Sequence, residues 1–174
     1  MVKELAVYEK APEAVKTSAE QFRKDGFGPG PARFHAFVVE DRPTAAQQQQ
    51  GGGKTKTVGF ALYLYVYSTW EGTCLYLEDL FVRPECRGRG AGIALMRRLA
   101  AKALSMDCAR FQWQALSWNA PAIAFYKSRI GARERLEDGG KTSWLNFIMN
   151  QGEMRELCAE PVGRVGGGGG GGEA

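Results

Sequence analysis

The chain has 174 residues, four cysteines and a formal net charge of +4, which suits a single domain with a mixed surface. Its ordinary balance of apolar and charged residues excludes a wholly disordered chain, a collagen and a coiled coil. No apolar run approaches the roughly 20 residues that a membrane-spanning helix needs, and a charge of +4 is too small to indicate nucleic acid by itself.

The sequence predicts helices and strands that alternate along the chain. The chain opens with the end of a helix, and a second helix is predicted to begin at Thr17, with Glu20 completing a capping box. Alternation and β-branched or aromatic content predict strands, and a helical stripe of apolar residues predicts helices. The predicted strands are 34–39, 57–67, 74–82, 109–116, 133–136 and 143–149, and the predicted helices are 2–8, 17 onward, 90–106 and 120–129.

The order α-α-β-β-β-α-β-α-β-β predicts a mixed α/β domain around a central sheet. Asp138-Gly139-Gly140 between the last two strands is typical of a hairpin turn. Two segments of low complexity interrupt this pattern, a Gln/Gly stretch within 41–56 and a run of seven glycines within 158–174. Neither can bury apolar area, so we expect a loop at 41–56, a domain over 1–157 and a disordered tail over 158–174.

Histidine and cysteine usage disfavours a metal site. His35 is the only histidine, and none of the four cysteines (Cys74, Cys86, Cys108 and Cys158) forms a CxxC pair. We therefore expect free thiols, no metal, no membrane segment, no nucleic-acid partner and a cytoplasmic, reducing environment.

The stretch after the third predicted strand carries the strongest functional signal. Arg87-Gly88-Arg89-Gly90-Ala91-Gly92 lies between that strand and a helix. Glycines at such a junction let backbone N–H groups point inward, and the helix N-terminus adds free donors and partial positive charge. The pattern predicts a pyrophosphate cradle. A Walker A loop would need Gly-Lys-Ser/Thr, and a dinucleotide fingerprint fails because Ile93 stands where a glycine is required.

The cradle resembles the acetyl-CoA loop of the GCN5-related N-acetyltransferase superfamily, with the pattern Arg-x-x-Gly-x-Gly. Trp118-Asn119-x-x-Ala122-x-x-Phe125-Tyr126 follows the next strand, as in that superfamily, although Asn119 could equally serve only as a helix cap. Four further segments, Glu4 to Lys10, Asp25 to Gly28, Tyr67 to Gly72 and Tyr76 to Asp79, resemble the diamine acetyltransferase branch. Tyr67-Ser68-Thr69-Trp70 is closer to thialysine N-epsilon-acetyltransferases than to spermidine/spermine enzymes, which carry Asp at the position of Ser68.

The resemblance implies a superfamily fold that apparently lacks its first strand, since the chain begins inside the first helix of that pattern. It also implies a homodimer whose subunits share substrate sites. The cofactor contacts that it implies are backbone contacts to the pantetheine arm and pyrophosphate, and contacts after the next strand. These residues are Leu80, Phe81, Val82, Arg87, Gly88, Arg89, Gly90, Ala91, Gly92, Ile93, Asn119 and Ala122.

The same resemblance implies that acetyl-CoA donates an acetyl group directly to a small primary amine in a ternary complex. Tyr126 would be the general acid for the thiolate, and Glu78 would contact the substrate and remove its proton. Substrate contacts would fall on Tyr8, Glu9, Gln112 and Gln114. Strand alternation predicts that Glu78 and Asp79 point to opposite faces of the sheet, and Asp79 is as consistent with a structural role as with a functional one.

Three functions remain open at this point. The first is an enzyme that acetylates a small diamine-like or lysine-like amine, with thialysine favoured over polyamines. The second is a protein or peptide N-acetyltransferase with an open groove. The third is a catalytically weak acetyl-CoA-binding protein, which the missing first strand and Ser68 would suit.

Overall fold

A computed structural model describes residues 1–43 and 54–132 of the protein. All of them lie in the first of the two units into which the chain divides, Met1–Arg133. Short 3-10 turns at Pro12–Ala14 and Pro84–Cys86 connect some of the elements. In chain order, the elements are α1 (Val2–Tyr8), α2 (Ala19–Phe27), β1 (His35–Asp41), β2 (Lys56–Ser68), β3 (Gly72–Val82), α3 (Ala91–Ser105), β4 (Arg110–Trp113) and α4 (Ala120–Ala124).

The helices and strands predicted within the described residues are present, with differences at their ends. The cap of α2 is Ser18 rather than Thr17, because the Ser18 hydroxyl accepts a hydrogen bond from the Gln21 backbone N–H at 3.0 Å. β4 is half the predicted length, and α4 continues as a π-helical turn over Phe125–Ile130. The hairpin predicted at 133–149, the boundary at 157 and the glycine tail lie outside the described residues.

The long connection between β1 and β2 begins and ends in paired strands. Asp41 at the end of β1 pairs with Lys56 at the start of β2, so each strand takes one residue from the 41–56 segment predicted as a loop. Residues 44–53 of that segment lie outside the described residues.

The four described strands form one sheet in the order β1-β2-β3-β4. β1 and β2 pair antiparallel, as do β2 and β3, whereas β4 runs parallel to β3 after the crossover through α3. Among the described residues no strand precedes β1, and two helices come first, as the sequence predicts. No helix of the described part is long and apolar enough to cross a membrane.

Each face of the sheet carries its own apolar cluster. On one face, α3 buries Leu95, Met96 and Leu99 against β2 and β3, where Leu75 is completely buried. On the other face, Leu5 of α1 packs with phenylalanine and leucine side chains of β2 and β3. Burial of these side chains fixes the two helical layers on opposite sides of the sheet.

Two irregularities of β3 create the space for a site. Leu62 of β2 pairs with Asp79, but the next residue, Tyr63, pairs with Leu77, so Glu78 is the extra residue of a β-bulge. On its other edge, β3 pairs with β4 only from Cys74 to Leu77. Beyond Leu77 the two parallel strands part, and the second half of β3 has an edge without a strand partner among the described residues.

Candidate active site

A cleft of about 700 Å³ lies where β3 and β4 part. Its walls come from four places: the end of α1, the second half of β3, the glycine loop with the start of α3, and the segment after β4 that leads into α4. Of the residues predicted for the site, those that line the cleft are Tyr8, Glu9, Glu78, Leu80, Phe81, Val82, Arg87, Gly88, Gly90, Ala91, Gly92, Ile93, Gln114, Asn119, Ala122 and Tyr126.

Two predicted residues lie elsewhere. Arg89 is exposed on the glycine loop and does not line the cleft. Gln112 accepts a hydrogen bond from Arg110 Nε at 2.7 Å, and Arg110 in turn forms an ion pair with Glu71. The Gln112 side chain therefore bonds to a neighbour on β4 and does not line the cleft. Gln114, which follows the end of β4, does line it.

The glycine loop has the backbone conformation that its sequence predicts. Gly88 and Gly90 have φ angles of +75° and +87°, a left-handed region that side chains disfavour. Gly90 is the N-cap of α3 and its carbonyl accepts the first helical bond, from the Ala94 N–H at 2.9 Å. The N–H groups of Ala91, Gly92 and Ile93 therefore remain without helical partners, and all three residues line the cleft.

Arg87 ties the glycine loop to the rest of the cleft. Its Nε donates to the Val82 carbonyl at 2.9 Å, and its guanidinium lies 4.7 Å from the centre of the Tyr8 ring. The Tyr8 hydroxyl donates to Asn119 Oδ1 at 3.0 Å. The same Oδ1 caps α4 by accepting from the Ala122 N–H at 3.3 Å, so Asn119 has the capping role that its position predicts.

The bulge interrupts strand alternation between the two acids of β3. The sequence analysis placed Glu78 and Asp79 on opposite faces by that alternation, and the extra residue at Glu78 removes its basis. Both acids line the cleft. Glu78 is exposed, whereas Asp79 is partly buried.

Electrostatics in the cleft make Asp79 unusual. Burial, reinforced by the negative charges of Glu78 and Glu9, raises the pKa of the Asp79 carboxyl to about 6. Within the described residues no Lys or Arg forms an ion pair with Asp79 that would offset these effects. Asp79 is therefore a carboxyl group that gains and loses a proton close to neutral pH.

Tyr126 lines the same cleft as the acids and is the second residue of the π-helical turn. Its ring packs 5.2 Å from the Trp113 ring and 5.4 Å from the Phe125 ring. Burial, followed by the negative charge of Glu9, raises the pKa of Tyr126 to about 12. The hydroxyl therefore stays protonated at every physiological pH, and it can donate a hydrogen bond to a group in the cleft.

Sequence reasoning missed part of the cleft. Tyr76, Asp79, Pro121 and Arg129 line it but were not predicted as site residues. Asp79 had a signal, since it is an acid within an apolar strand, but no sequence pattern predicts the bulge beside it. In the described part of the chain, no group of three or more His, Cys, Asp or Glu is arranged to hold a metal ion.

Comparison with known proteins identifies the family of the chain. The family model described as Acetyltransferase (GNAT) family matches residues 12–132. The chain belongs to this acetyltransferase family. The resemblance to the superfamily is confirmed, and the donor that GNAT enzymes use is acetyl-CoA.

Curated relatives support the branch as well as the family. The chain is 41% identical over 160 residues to the thialysine N-epsilon-acetyltransferase of Sus scrofa, an alignment that covers 92% of this chain and 89% of that protein. It is 34% identical to the human spermidine/spermine N(1)-acetyltransferase-like protein 1, which it matches over 92% of this chain but 22% of that longer protein. The diamine acetyltransferase branch is therefore confirmed.

A solved structure supports the fold. The tetramutant of the BH1408 protein from Bacillus halodurans has a TM-score of 0.57 and 17% identity, covering 84% of this chain and 87% of that one. The mixed sheet with helices on both faces is thus the GNAT fold that the sequence predicts.

The described residues fit acetyl-CoA as GNAT enzymes use it. Gly88 and Gly90 have open space where a Cβ would stand, and the three residues whose N–H groups begin α3 line the cleft beside them. Arg87 and Arg129 add positive charge to the same walls. Such a cradle suits a pyrophosphate, and the edge of β3 that no described strand pairs offers backbone groups to an amide-containing arm.

Proposed function

We propose that the protein transfers the acetyl group of acetyl-CoA to the primary amine of a small diamine-like or lysine-like substrate, with thialysine favoured and polyamines next. The observation that carries this proposal is the pairing, in one cleft, of a glycine cradle for an anion with three carboxylates for a cation, Glu9, Glu78 and Asp79. The names of the curated relatives, thialysine and spermidine/spermine acetyltransferases, support the same class of amine.

On the cofactor side, the chain's residues bind and orient. The N–H groups of Ala91 to Ile93 and the guanidinium of Arg87 hold the pyrophosphate, and the backbone from Leu80 to Val82 aligns the pantetheine arm. Acetyl-CoA supplies the thioester whose carbonyl carbon the amine attacks. Arg87 Nε donates to the Val82 carbonyl, which leaves the terminal N–H groups of the guanidinium to contact the pyrophosphate.

On the amine side, the exposed carboxylate of Glu78 attracts and holds the cationic substrate. Glu9 lies across the cleft from β3, and its charge reaches both Asp79 and Tyr126. Tyr8 and Gln114 complete this wall, whereas Gln112 is bonded to Arg110 and would have to exchange that partner to touch substrate.

Tyr126 serves the sulfur. A phenol with a pKa of about 12 stays protonated, so its hydroxyl can donate to the departing thiolate. An alkyl thiol has a pKa of about 8.5, which makes the thiolate a weaker base than the phenolate. We therefore propose that Tyr126 stabilises the sulfur mainly through a hydrogen bond rather than by complete proton transfer.

Transfer is proposed to be direct, in a ternary complex. Among the described residues that line the cleft there is no cysteine to form an acetyl-enzyme. We further propose a homodimer, from the family pattern, and a cytoplasmic location, which the free thiols of Cys74, Cys86 and Cys108 support.

The test is steady-state CoA release with acetyl-CoA and a panel of amines: thialysine, lysine, spermidine, spermine and a short lysine peptide. Thialysine well ahead of spermidine supports the proposal in full. A peptide ahead of every small amine favours the protein acetyltransferase alternative. Saturable acetyl-CoA binding without turnover of any amine would contradict the enzymatic proposal. Size-exclusion chromatography with light scattering checks the dimer.

A further inference from the structure

We infer that Asp79, rather than Glu78, is the group that takes the proton from the substrate ammonium, and that Glu78 and Glu9 set the pH at which it does so. This inference rests on the proposed function. It assigns a catalytic role that the sequence analysis gave to the neighbouring glutamate.

The geometry of β3 separates the two acids. The bulge lies at Glu78 and both acids line the cleft, but Glu78 is exposed and Asp79 is partly buried. Asp79 stands opposite Leu62, which belongs to the apolar cluster beneath α1. A carboxyl group in water has a pKa of about 4, so it is ionised at neutral pH. Partial burial beside other acids raises that pKa, because both effects disfavour the charged form.

The surrounding groups favour a proton on Asp79. Glu78 on the same strand and Glu9 at the end of α1 are the acids whose charges act on Asp79. Tyr8, Tyr126 and the cations Arg87 and Arg129 line the same cleft. Arg87 bonds to the Val82 carbonyl and stacks on Tyr8, and no cation of the described residues pairs with Asp79. The pKa of about 6 follows, which suits a base that acts near neutral pH.

The proton balance can be written completely. The substrate nitrogen enters as an ammonium and loses two protons. The first passes to the Asp79 carboxylate and then to water, which leaves a neutral amine with a free lone pair. That lone pair forms the C–N bond as the thioester C–S bond breaks. The second proton leaves the nitrogen for water, and the sulfur departs as a thiolate that accepts a hydrogen bond from Tyr126 and then takes a proton from water to become the thiol of CoA.

The kinetic test compares Asp79→Asn, Glu78→Gln and Glu9→Gln with wild type. In wild type we expect an acidic limb, in which kcat/KM decreases as the pH is lowered through about 6, where Asp79 gains its proton. Each of Glu78→Gln and Glu9→Gln should move that limb to lower pH, because each removes a negative charge that favours the proton. Asp79→Asn should abolish the limb and lower kcat by about 10² or more, with acetyl-CoA affinity unchanged.

A second measurement does not depend on turnover. Asp carboxyl groups labelled with ¹³C are titrated by NMR in the free enzyme, and Asp79 is assigned by its absence in Asp79→Asn. A resonance titrating near pH 6, displaced to lower pH in Glu78→Gln, supports the inference. A resonance of Asp79 that titrates near pH 4 overturns the inference. So does a kinetic result in which Asp79→Asn keeps the wild-type rate and the acidic limb of kcat/KM while Glu78→Gln loses both.

The failure of the proposed function would look different. A wild-type chain that binds acetyl-CoA but acetylates none of the amines defeats that proposal, whereas the NMR titration still decides whether Asp79 holds a proton near neutral pH.

Discussion

Burial changes the pKa values of single side chains in the cleft. Tyr126 and Asp79 are ordinary phenol and carboxyl groups whose pKa values rise because the cleft removes them from water and places acids nearby. Each shift has a consequence that can be measured on one residue.

Replacing Tyr126 by phenylalanine removes the hydroxyl and keeps the ring against Trp113. We expect kcat to fall by about 10² to 10⁴, because the sulfur loses its donor, while the affinity for acetyl-CoA is preserved. In wild type the phenol stays protonated, so no basic limb below about pH 11 should belong to Tyr126. Kinetics and isothermal titration check both statements.

Tyr67→Phe is a matched control for that experiment, because Tyr67 is exposed at the end of β2 and does not line the cleft. Its kinetics should match wild type. Turnover by Tyr126→Phe at the wild-type rate would contradict the role of the hydroxyl.

Replacing Asp79 by asparagine should stabilise the protein. A pKa raised from 3.8 to about 6 means that the folded state binds the proton more tightly than the unfolded chain, so stability is lost as pH rises from about 4 to 6. The full shift corresponds to at most about 3 kcal/mol, and partial solvent access reduces it. We expect Asp79→Asn to raise the free energy of unfolding by about 1–2 kcal/mol at pH 8.

Urea unfolding at pH 8 and pH 4 measures this effect. The difference between Asp79→Asn and wild type should shrink at pH 4, where both side chains are neutral. An equal difference at the two pH values would contradict the assignment of the shift to Asp79.

At the scale of elements, the cleft depends on how helices begin. Gly90 caps α3 with φ +87°, a conformation that costs a residue with a Cβ about 1–2 kcal/mol. Gly90→Ala should therefore destabilise the fold by about that amount and raise the KM for acetyl-CoA, because the N–H groups at the start of α3 would move.

Gly30→Ala is the matched control, since Gly30 has no atom within 4 Å of an added Cβ and no left-handed φ. It should leave KM unchanged and stability within about 0.5 kcal/mol. Urea unfolding and acetyl-CoA kinetics on both variants check the contrast, and an equal KM in Gly90→Ala would count against the cradle.

The end of α1 and the start of α4 are joined by one hydrogen bond across the cleft. Tyr8→Phe removes that bond from Asn119 and should cost about 0.5–1.5 kcal/mol. Asn119→Ala removes the same bond and the cap of α4, so it should cost more, about 1–2 kcal/mol. A double-mutant cycle by urea unfolding should give a coupling energy of at least about 0.5 kcal/mol, and additive effects would contradict the link.

At the scale of the whole molecule, an ion pair connects α1 to the far end of β3. Arg83 donates from Nε and Nη2 to the two carboxylate oxygens of Glu4 at 2.9 and 3.0 Å. Arg83 lowers the pKa of Glu4. The pair therefore contributes above the ordinary pKa of a glutamate, and its contribution is lost as pH falls through the lowered value.

Glu4→Gln should lower Tm slightly at pH 7 and have no effect at pH 3, and the effect at pH 7 should shrink in high salt. Glu20→Gln is a control, because Glu20 also lies in the first turn of a helix and forms no ion pair among the described residues. Thermal melts at the two pH values decide the matter, and equal Tm changes for the two variants would contradict the role of the pair.

Much of this protein can be predicted from its sequence because the determining forces are local. Glycine is favoured where φ is positive, so Gly88 and Gly90 predict the turn that forms the proposed cradle. Asn119 followed by Pro121 indicates the start of a helix, and the aromatic and β-branched residues from Thr57 to Tyr67 indicate a strand. These signals depend only on neighbouring residues, and they led to the family and to most of the cleft.

The sequence by itself determined the order of the described elements, the glycine loop between β3 and α3, and the family to which the chain belongs. The tertiary structure decided which acids share the cleft, because the bulge at Glu78 arises from the register between β2 and β3. It also decided that Gln112 is bonded to Arg110, and that Tyr8 bridges Arg87 and Asn119, which is 111 positions further along the chain. Burial and charge between distant segments set the pKa of Asp79, and no local pattern of residues records them.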